Sequence, residues 1–259
     1  MTGGSAVLRP VSRPGAERVL ICMGFSGGGT GSFRRWARVL PDSVELALVC
    51  YPGREARFNT PLVHRWEDLL ADVLAAVVPL TDRPYVLFGH SLGGWVAFEV
   101  TAGLERAGAA PPEGLVISSC VAPADWRHRH ERAPSPKDTD EELLAWMSDV
   151  GQLPEAVLQE PDLREMAVEL LRADMDVSYS YRYQPGVLTR VPTQVLYGSE
   201  DHLVPVETAR RWRLVTSGAY QLDELPGGHF YTEDVWARLP ERFAALAGSW
   251  PAGEALLRA

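Results

Sequence analysis

The stretch that most restricts this chain is an apolar run that breaks at a glycine and restarts as a helix, Tyr85-Val86-Leu87-Phe88-Gly89-His90-Ser91-Leu92-Gly93-Gly94. Val86, Leu87 and Phe88 read as a buried strand, and Leu92, Val96, Val100 and Leu104 recur at helical spacing. Between them lies Gly-x-Ser-x-Gly, the pattern of a nucleophile elbow, a sharp strand-to-helix turn that forces its serine into a strained backbone conformation. Gly89 and Gly93 remove the side chains that would collide beside it. Ser91 would then stand at a helix N-terminus, whose free amides and positive dipole end favour a developing oxyanion.

A serine is a poor nucleophile until a base takes its proton, so a histidine and a group that orients it are required. Of six histidines, His229 sits in the glycine-rich Leu225-Pro226-Gly227-Gly228-His229-Phe230, after the strand-like Ala219–Leu222, and suits a side chain that reaches across a cleft. His64, His90, His128 and His130 read as surface or local structure, and His202 as solvated or as a neighbour of the acid. The acid is expected in Val195-Leu196-Tyr197-Gly198-Ser199-Glu200-Asp201, a β-rich run ending in an acidic turn. Asp201 is favoured over the adjacent Glu200, and the resulting order Ser91, Asp201, His229 is the one used by α/β-hydrolases. Asp125 competes, since a strand end one step earlier could reach the same histidine. The oxyanion would be held by the amide of Leu92 and by one from the loop Gly24-Phe25-Ser26-Gly27-Gly28-Gly29-Thr30-Gly31, at Phe25 or Ser26. No Gly-Lys-Ser/Thr follows these glycines, and their spacing does not fit a dinucleotide fingerprint.

Strands are expected at Val19–Met23, Val44–Cys50, Tyr85–Gly89, Leu115–Cys120, Thr193–Tyr197 and Tyr220–Leu225. A helix is expected at Arg65–Val78, with Trp66, Leu69, Leu70, Val73, Leu74, Val77 and Val78 on one face. The alternation implies an α/β fold, a mostly parallel central sheet with helices on both faces. Asp125 to Pro185 interrupts it with helical patterns at Glu141–Val150 and Asp162–Tyr179, and is expected to form a lid over the site. With 259 residues and 46% hydrophobic content, the chain can bury the core of one α/β domain, 1–259, that includes this insertion. There is no apolar run of bilayer length, and Met1 to Arg18 lacks the hydrophobic centre of a signal peptide. Cys22, Cys50 and Cys120 fall in inner strands and read as buried thiols of a reducing, cytoplasmic compartment. A net charge of −9 argues against a nucleic-acid partner.

Several strings together resemble the type II thioesterases, free-standing editing enzymes of polyketide and nonribosomal peptide synthases. These are Cys22–Gly28, Tyr51-Pro52-Gly53-Arg54-Glu55-Ala56-Arg57, Gly89–Gly94, Leu171-Arg172-Ala173-Asp174, Tyr181-Arg182-Tyr183, Gly198–Asp201 and Gly227–Phe230, in the right order from about Leu20 to Leu246. The Pro-Gly-Arg-Glu-x-Arg string is the most discriminating, because general esterases and lipases do not need it. Gly24 stands where the family has proline and Ser26 where it has alanine, which takes stiffness from the oxyanion loop but leaves its amides available. The resemblance implies a helical lid and hydrolysis of an acyl group on the phosphopantetheine arm of an acyl or peptidyl carrier domain, through an acyl-enzyme, with no metal or organic cofactor. A general carboxylester hydrolase and a catalytically inactive hydrolase-like binding protein are the alternatives. Arg127, His128, Arg129, His130 and Arg132 form a basic patch at the start of the lid that could steer an acidic carrier.

Overall fold

Strand residues alternate between two apolar faces, and that alternation sets the architecture of the computed structural model, which describes residues 4–127, 133–153, 155–248 and 250. The strands are β1 (Val7–Leu8), β2 (Arg18–Met23), β3 (Val44–Val49), β4 (Tyr85–His90), β5 (Gly114–Ser118), β6 (Thr193–Gly198) and β7 (Tyr220–Leu225). They form one sheet in the order β1-β3-β2-β4-β5-β6-β7. β1 runs antiparallel to β3 and every other pair is parallel. The parallel strands are those expected, with ends moved by at most two residues. β1 lies in the Gly/Pro/Arg-rich lead and is too short to carry a periodicity. Cys50 and Cys120 fall just beyond strand ends rather than within strands, yet all three cysteines are buried and free.

On one face Val19, Ile21, Met23 and Leu87 pack against α1 (Trp66–Val77) and α2 (Leu92–Arg106), with Trp66, Val73, Trp95 and Phe98 among the covering residues. On the other, Leu20, Cys22, Val86 and Phe88 meet Phe33, Trp36 and Phe243. This second face is closed chiefly by a 3-10 helix, Thr30–Arg38, and by short C-terminal turns rather than by long α-helices. A three-residue repeat eclipses side chains at i and i+3. Phe33 and Trp36 therefore both set edges on Phe88, with centroids 6.0 and 5.0 Å away. Val78, expected on the buried face of α1, is 52% exposed because the chain tightens there into a 3-10 turn containing Pro79.

Between β5 and β6 lie α3 (Asp140–Asp149), α4 (Glu155–Gln159) and α5 (Pro161–Ser180). Thr139 and Glu142 close a capping box at the start of α3. Leu143 and Met147 of α3 meet Val168, Leu171 and Met175 of α5 in a small core of their own, whereas Val177 and Tyr181 belong to the main core. No helix among the described residues is long and apolar enough to cross a membrane.

Tyr181 donates its hydroxyl to Glu99 of α2 at 2.9 Å, and burial pushes the Glu99 carboxyl pKa up, against the opposing effects of that bond and of Arg106. The folded state therefore keeps this proton to higher pH than the unfolded chain, and ionising Glu99 costs stability as pH rises through the folded pKa. Glu99→Gln, which keeps an acceptor for Tyr181, is expected to raise Tm at pH 8 and to leave it nearly unchanged at pH 4. Thermal melts at the two pH values check this, and an equal shift at both would remove ionisation as the cause.

Candidate active site

Parallel register brings the carboxyl ends of the central strands level. Met23 pairs with Gly89, His90 with Ser118, Ser118 with Leu196 and Gly198 with Leu225. The loops leaving β2, β4, β5, β6 and β7 consequently converge at one end of the sheet, where ligands of open parallel sheets bind. Ser91 is the turn between β4 and α2, with φ 55° and ψ −119°. Its N–H donates to Ser118 O and its carbonyl accepts from Gly94 N, both at 2.9 Å, which holds the strained turn from both sides. A Cβ on Gly89 would lie 1.9 Å from Gly93 O, and one on Gly93 2.3 Å from Met23 O. The turn thus forms only because these positions lack side chains, and α2 starts in backbone contact with the glycine-rich loop after β2.

His229 follows β7 and is 8% exposed, and its Nδ1 lies 2.9 Å from Oδ2 of Asp201. An ionised carboxylate only accepts, so Nδ1 carries the proton and the neutral ring leaves Nε2 unprotonated. The second Asp201 oxygen accepts from Leu203 N at 3.0 Å. Burial raises the Asp201 pKa, but the charge and hydrogen bond of His229 with the Leu203 amide outweigh it and hold the carboxyl below its ordinary value. The two loops are zipped together by Ser199 N to Leu225 O and Glu200 N to Gly227 O. Glu200 is exposed, and Asp125 pairs instead with Arg211 Nε at 2.5 Å, so neither competitor faces the histidine. His64 is an exposed partner of Asp176 and His202 is exposed. Of the two readings of His90, surface or local structure, the second holds: it is fully buried, bonds Ser118 Oγ through Nδ1 and packs 5.2 Å from the His229 ring. Arg127 lies over the Trp126 ring, while His128, His130, Arg129 and Arg132 of the basic patch lie outside the described residues.

Phe25 and Ser26 are each 5% exposed in the loop after β2. The stiffness that a proline would have given at Gly24 comes from side chains outside the loop. Tyr51 Oη donates to Gly24 O at 3.2 Å and Gln152 Nε2 to Ser26 O at 2.9 Å. Gly27 N donates to Asp174 Oδ2 at 2.7 Å, and Arg54 Nη1 to Gly28 O at 2.7 Å. Glu55 accepts from the amides of Thr30 and Gly31 at 3.1 and 3.2 Å, where the 3-10 helix begins. Arg57 forks onto Asp72 of α1 with two 2.6 Å bonds. Each charged member of the Pro-Gly-Arg-Glu-x-Arg string therefore fastens a different neighbour of the site. Among the described residues, the non-glycine positions with positive φ are Glu55, Ser91, Ser119 and Tyr231, all in this region. Backbone strain of this kind concentrates at functional sites.

A family model for the thioesterase domain matches residues 18–244. The chain belongs to the thioesterase family. The thioesterase is 37% identical over 239 residues to the AMB antimetabolite synthetase AmbE of Pseudomonas aeruginosa, a match covering 90% of the chain but only 11% of that much longer protein. It is 34% identical over 226 residues to the thioesterase PikA5 of Streptomyces venezuelae, covering 86% and 78% of the two chains. Among solved structures it resembles YbtT, a type II thioesterase from the yersiniabactin NRPS/PKS pathway, with a TM-score of 0.78 and 27% identity over 95% of this chain and 100% of that one. The fold of the thioesterase is accordingly the α/β-hydrolase fold, and it is an enzyme of thioester hydrolysis.

Among the described residues, three cavities meet at this end of the sheet. One of about 20 Å³ is lined by Ser91, His229, Cys120, Trp146, Leu203 and Val204. A second, about 550 Å³, opens past Phe25, His229, Gln152 and Trp236, and a third, about 390 Å³, runs between the glycine loop and Leu163, Met166 and Leu170 of α5. Ser118, Tyr231, Gln152 and Asp174 have no role in the sequence analysis, yet each contacts the site region. Ser118 Oγ bonds Tyr231 Oη at 2.7 Å, so a buried polar chain runs from His90 to the residue two after His229. Asp174 did carry a local signal. It shares the buried stripe of α5 with Leu171, Met175 and Ser178, where an acid needs a buried partner.

Proposed function

We propose that the chain is a type II thioesterase that hydrolyses acyl groups from the phosphopantetheine arm of an acyl or peptidyl carrier domain, with Ser91, His229 and Asp201 as its catalytic triad. The observation that carries this reading is the joint placement of Ser91, at a strained elbow, and His229, fixed by Asp201 at 2.9 Å, on the same small cavity. His229 Nε2 takes the Ser91 proton as Oγ attacks the thioester carbonyl, and the oxyanion is received by the amides of Leu92 and of Phe25 or Ser26. Collapse breaks the C–S bond, and the leaving thiolate takes the proton from His229. Water then attacks the acyl-enzyme with His229 again as base, releasing the carboxylic acid and restoring Ser91. The carrier as partner is supported by relatives named for synthase pathways. The segment carrying α3, α4 and α5 is read as the lid, because Trp146, Gln152, Leu163 and Met166 line the three cavities.

The test compares hydrolysis of acyl-carrier thioesters with that of matched oxyesters and acyl-coenzyme A. A strong preference in kcat/KM for the carrier-bound thioester is expected. Equal rates on the oxyester would make the protein a general carboxylester hydrolase, and no labelling of Ser91 by a fluorophosphonate would make it a binding protein.

A further inference from the structure

We propose that the buried Arg54–Asp174 ion pair is the positioning device of the oxyanion loop, and that it acts on kcat. Neither residue touches the reacting atoms. The two side chains are 4% and 1% exposed and meet as a fork, Arg54 Nη2 to Asp174 Oδ1 at 2.7 Å and Nη1 to Oδ2 at 2.8 Å. The fork also grips the loop at two consecutive residues. Asp174 Oδ2 accepts from Gly27 N, and Arg54 Nη1 donates to Gly28 O. Phe25 and Ser26 thus lie between the end of β2, where Tyr51 holds Gly24 O, and this grip. Gly27 itself sits at φ 72°, a conformation that leaves the loop free to take other shapes unless something outside selects one.

Energetics point the same way. Two charges buried this deeply pay a desolvation penalty that often cancels their attraction, so that apolar residues of similar volume replace such pairs without loss of stability. A pair whose remaining bonds go to the peptide groups of one loop is well placed to fix that loop, since an error of about 1 Å in a reacting geometry can cost on the order of a hundredfold in rate.

The inference rests on the proposed role of Phe25 or Ser26 in receiving the oxyanion, and its test separates the two. The double variant Arg54→Met with Asp174→Leu removes both charges at nearly constant volume. Native chain, double variant, Asp174→Asn and Ser91→Ala would be compared by Tm, by kcat and KM on a small acyl thioester, and by the rate of fluorophosphonate labelling of Ser91, whose phosphonyl oxygen occupies the oxyanion position. In a double variant that keeps the native Tm, kcat and the labelling rate are expected to fall together by about tenfold to a hundredfold while KM stays constant. If the apolar pair does not fold, the shape-conserving Asp174→Asn decides on the same readouts. Native kcat and labelling rate in the deciding variant, or a raised KM at native kcat, would overturn the inference and leave the triad untouched. A native chain that is not labelled at Ser91 would overturn the triad and this inference with it.

Discussion

Ser91→Ala is expected to fold as the native chain does and to lose hydrolysis by about a millionfold, the scale seen when the nucleophile of a comparable triad is removed. Alanine carries the same Cβ into the φ of 55° that serine already tolerates, and the backbone bonds to Ser118 and Gly94 do not involve the hydroxyl. The loss therefore falls on chemistry alone. The oxygen that forms the acyl-enzyme is gone, and His229 has no bonded partner from which to take a proton. Thioester hydrolysis and thermal melts, measured together, check this, and near-native turnover in the variant would sink the acyl-enzyme route.

Asp201→Asn is expected to reduce kcat by about ten-thousandfold at little cost in stability, through the wrong histidine tautomer. The atoms say why the amide cannot simply flip. Oδ1 accepts from Leu203 N, so an asparagine that keeps its carbonyl there must turn its NH2 toward His229 Nδ1. That ring nitrogen must then accept, its proton moves to Nε2, and Nε2 can no longer act as base. Asp125→Asn is expected to change kcat little, because its carboxylate faces Arg211. The reverse ranking of the two variants would move the acid to the loop after β5.

The turn at Ser91, the glycine-rich loop after β2 and the loop of His229 are legible as local structure because each is a strand period followed at once by a glycine cluster, within about ten residues. The choice of Asp201 over Asp125 needed geometry, since both follow strands of one sheet and only the zipped loops after β6 and β7 show which faces His229. Arg54 and Asp174 are 120 positions apart and no local period links them, so their joining could not be read from either segment. The covering of the second sheet face was missed for a different reason. Phe33 and Trp36 follow a three-residue repeat, which a search for 3.6-residue periodicity passes over.

Asp174 and Gln152 both reach the glycine-rich loop after β2 from the segment between β5 and β6, the same segment that lines the cavity beside that loop. Anyone building chimaeras to alter chain-length selectivity would be drawn to swap that whole segment as a cassette. A cassette cut at the ends of β5 and β6 would carry away two of the loop's fastenings along with the cavity wall. Replacing only 155–170, upstream of Leu171 and downstream of Gln152, would exchange Leu163 and Met166 while retaining both. Where such grafts are joined, more than what they contain, would decide whether a new preference arrives with a working catalyst.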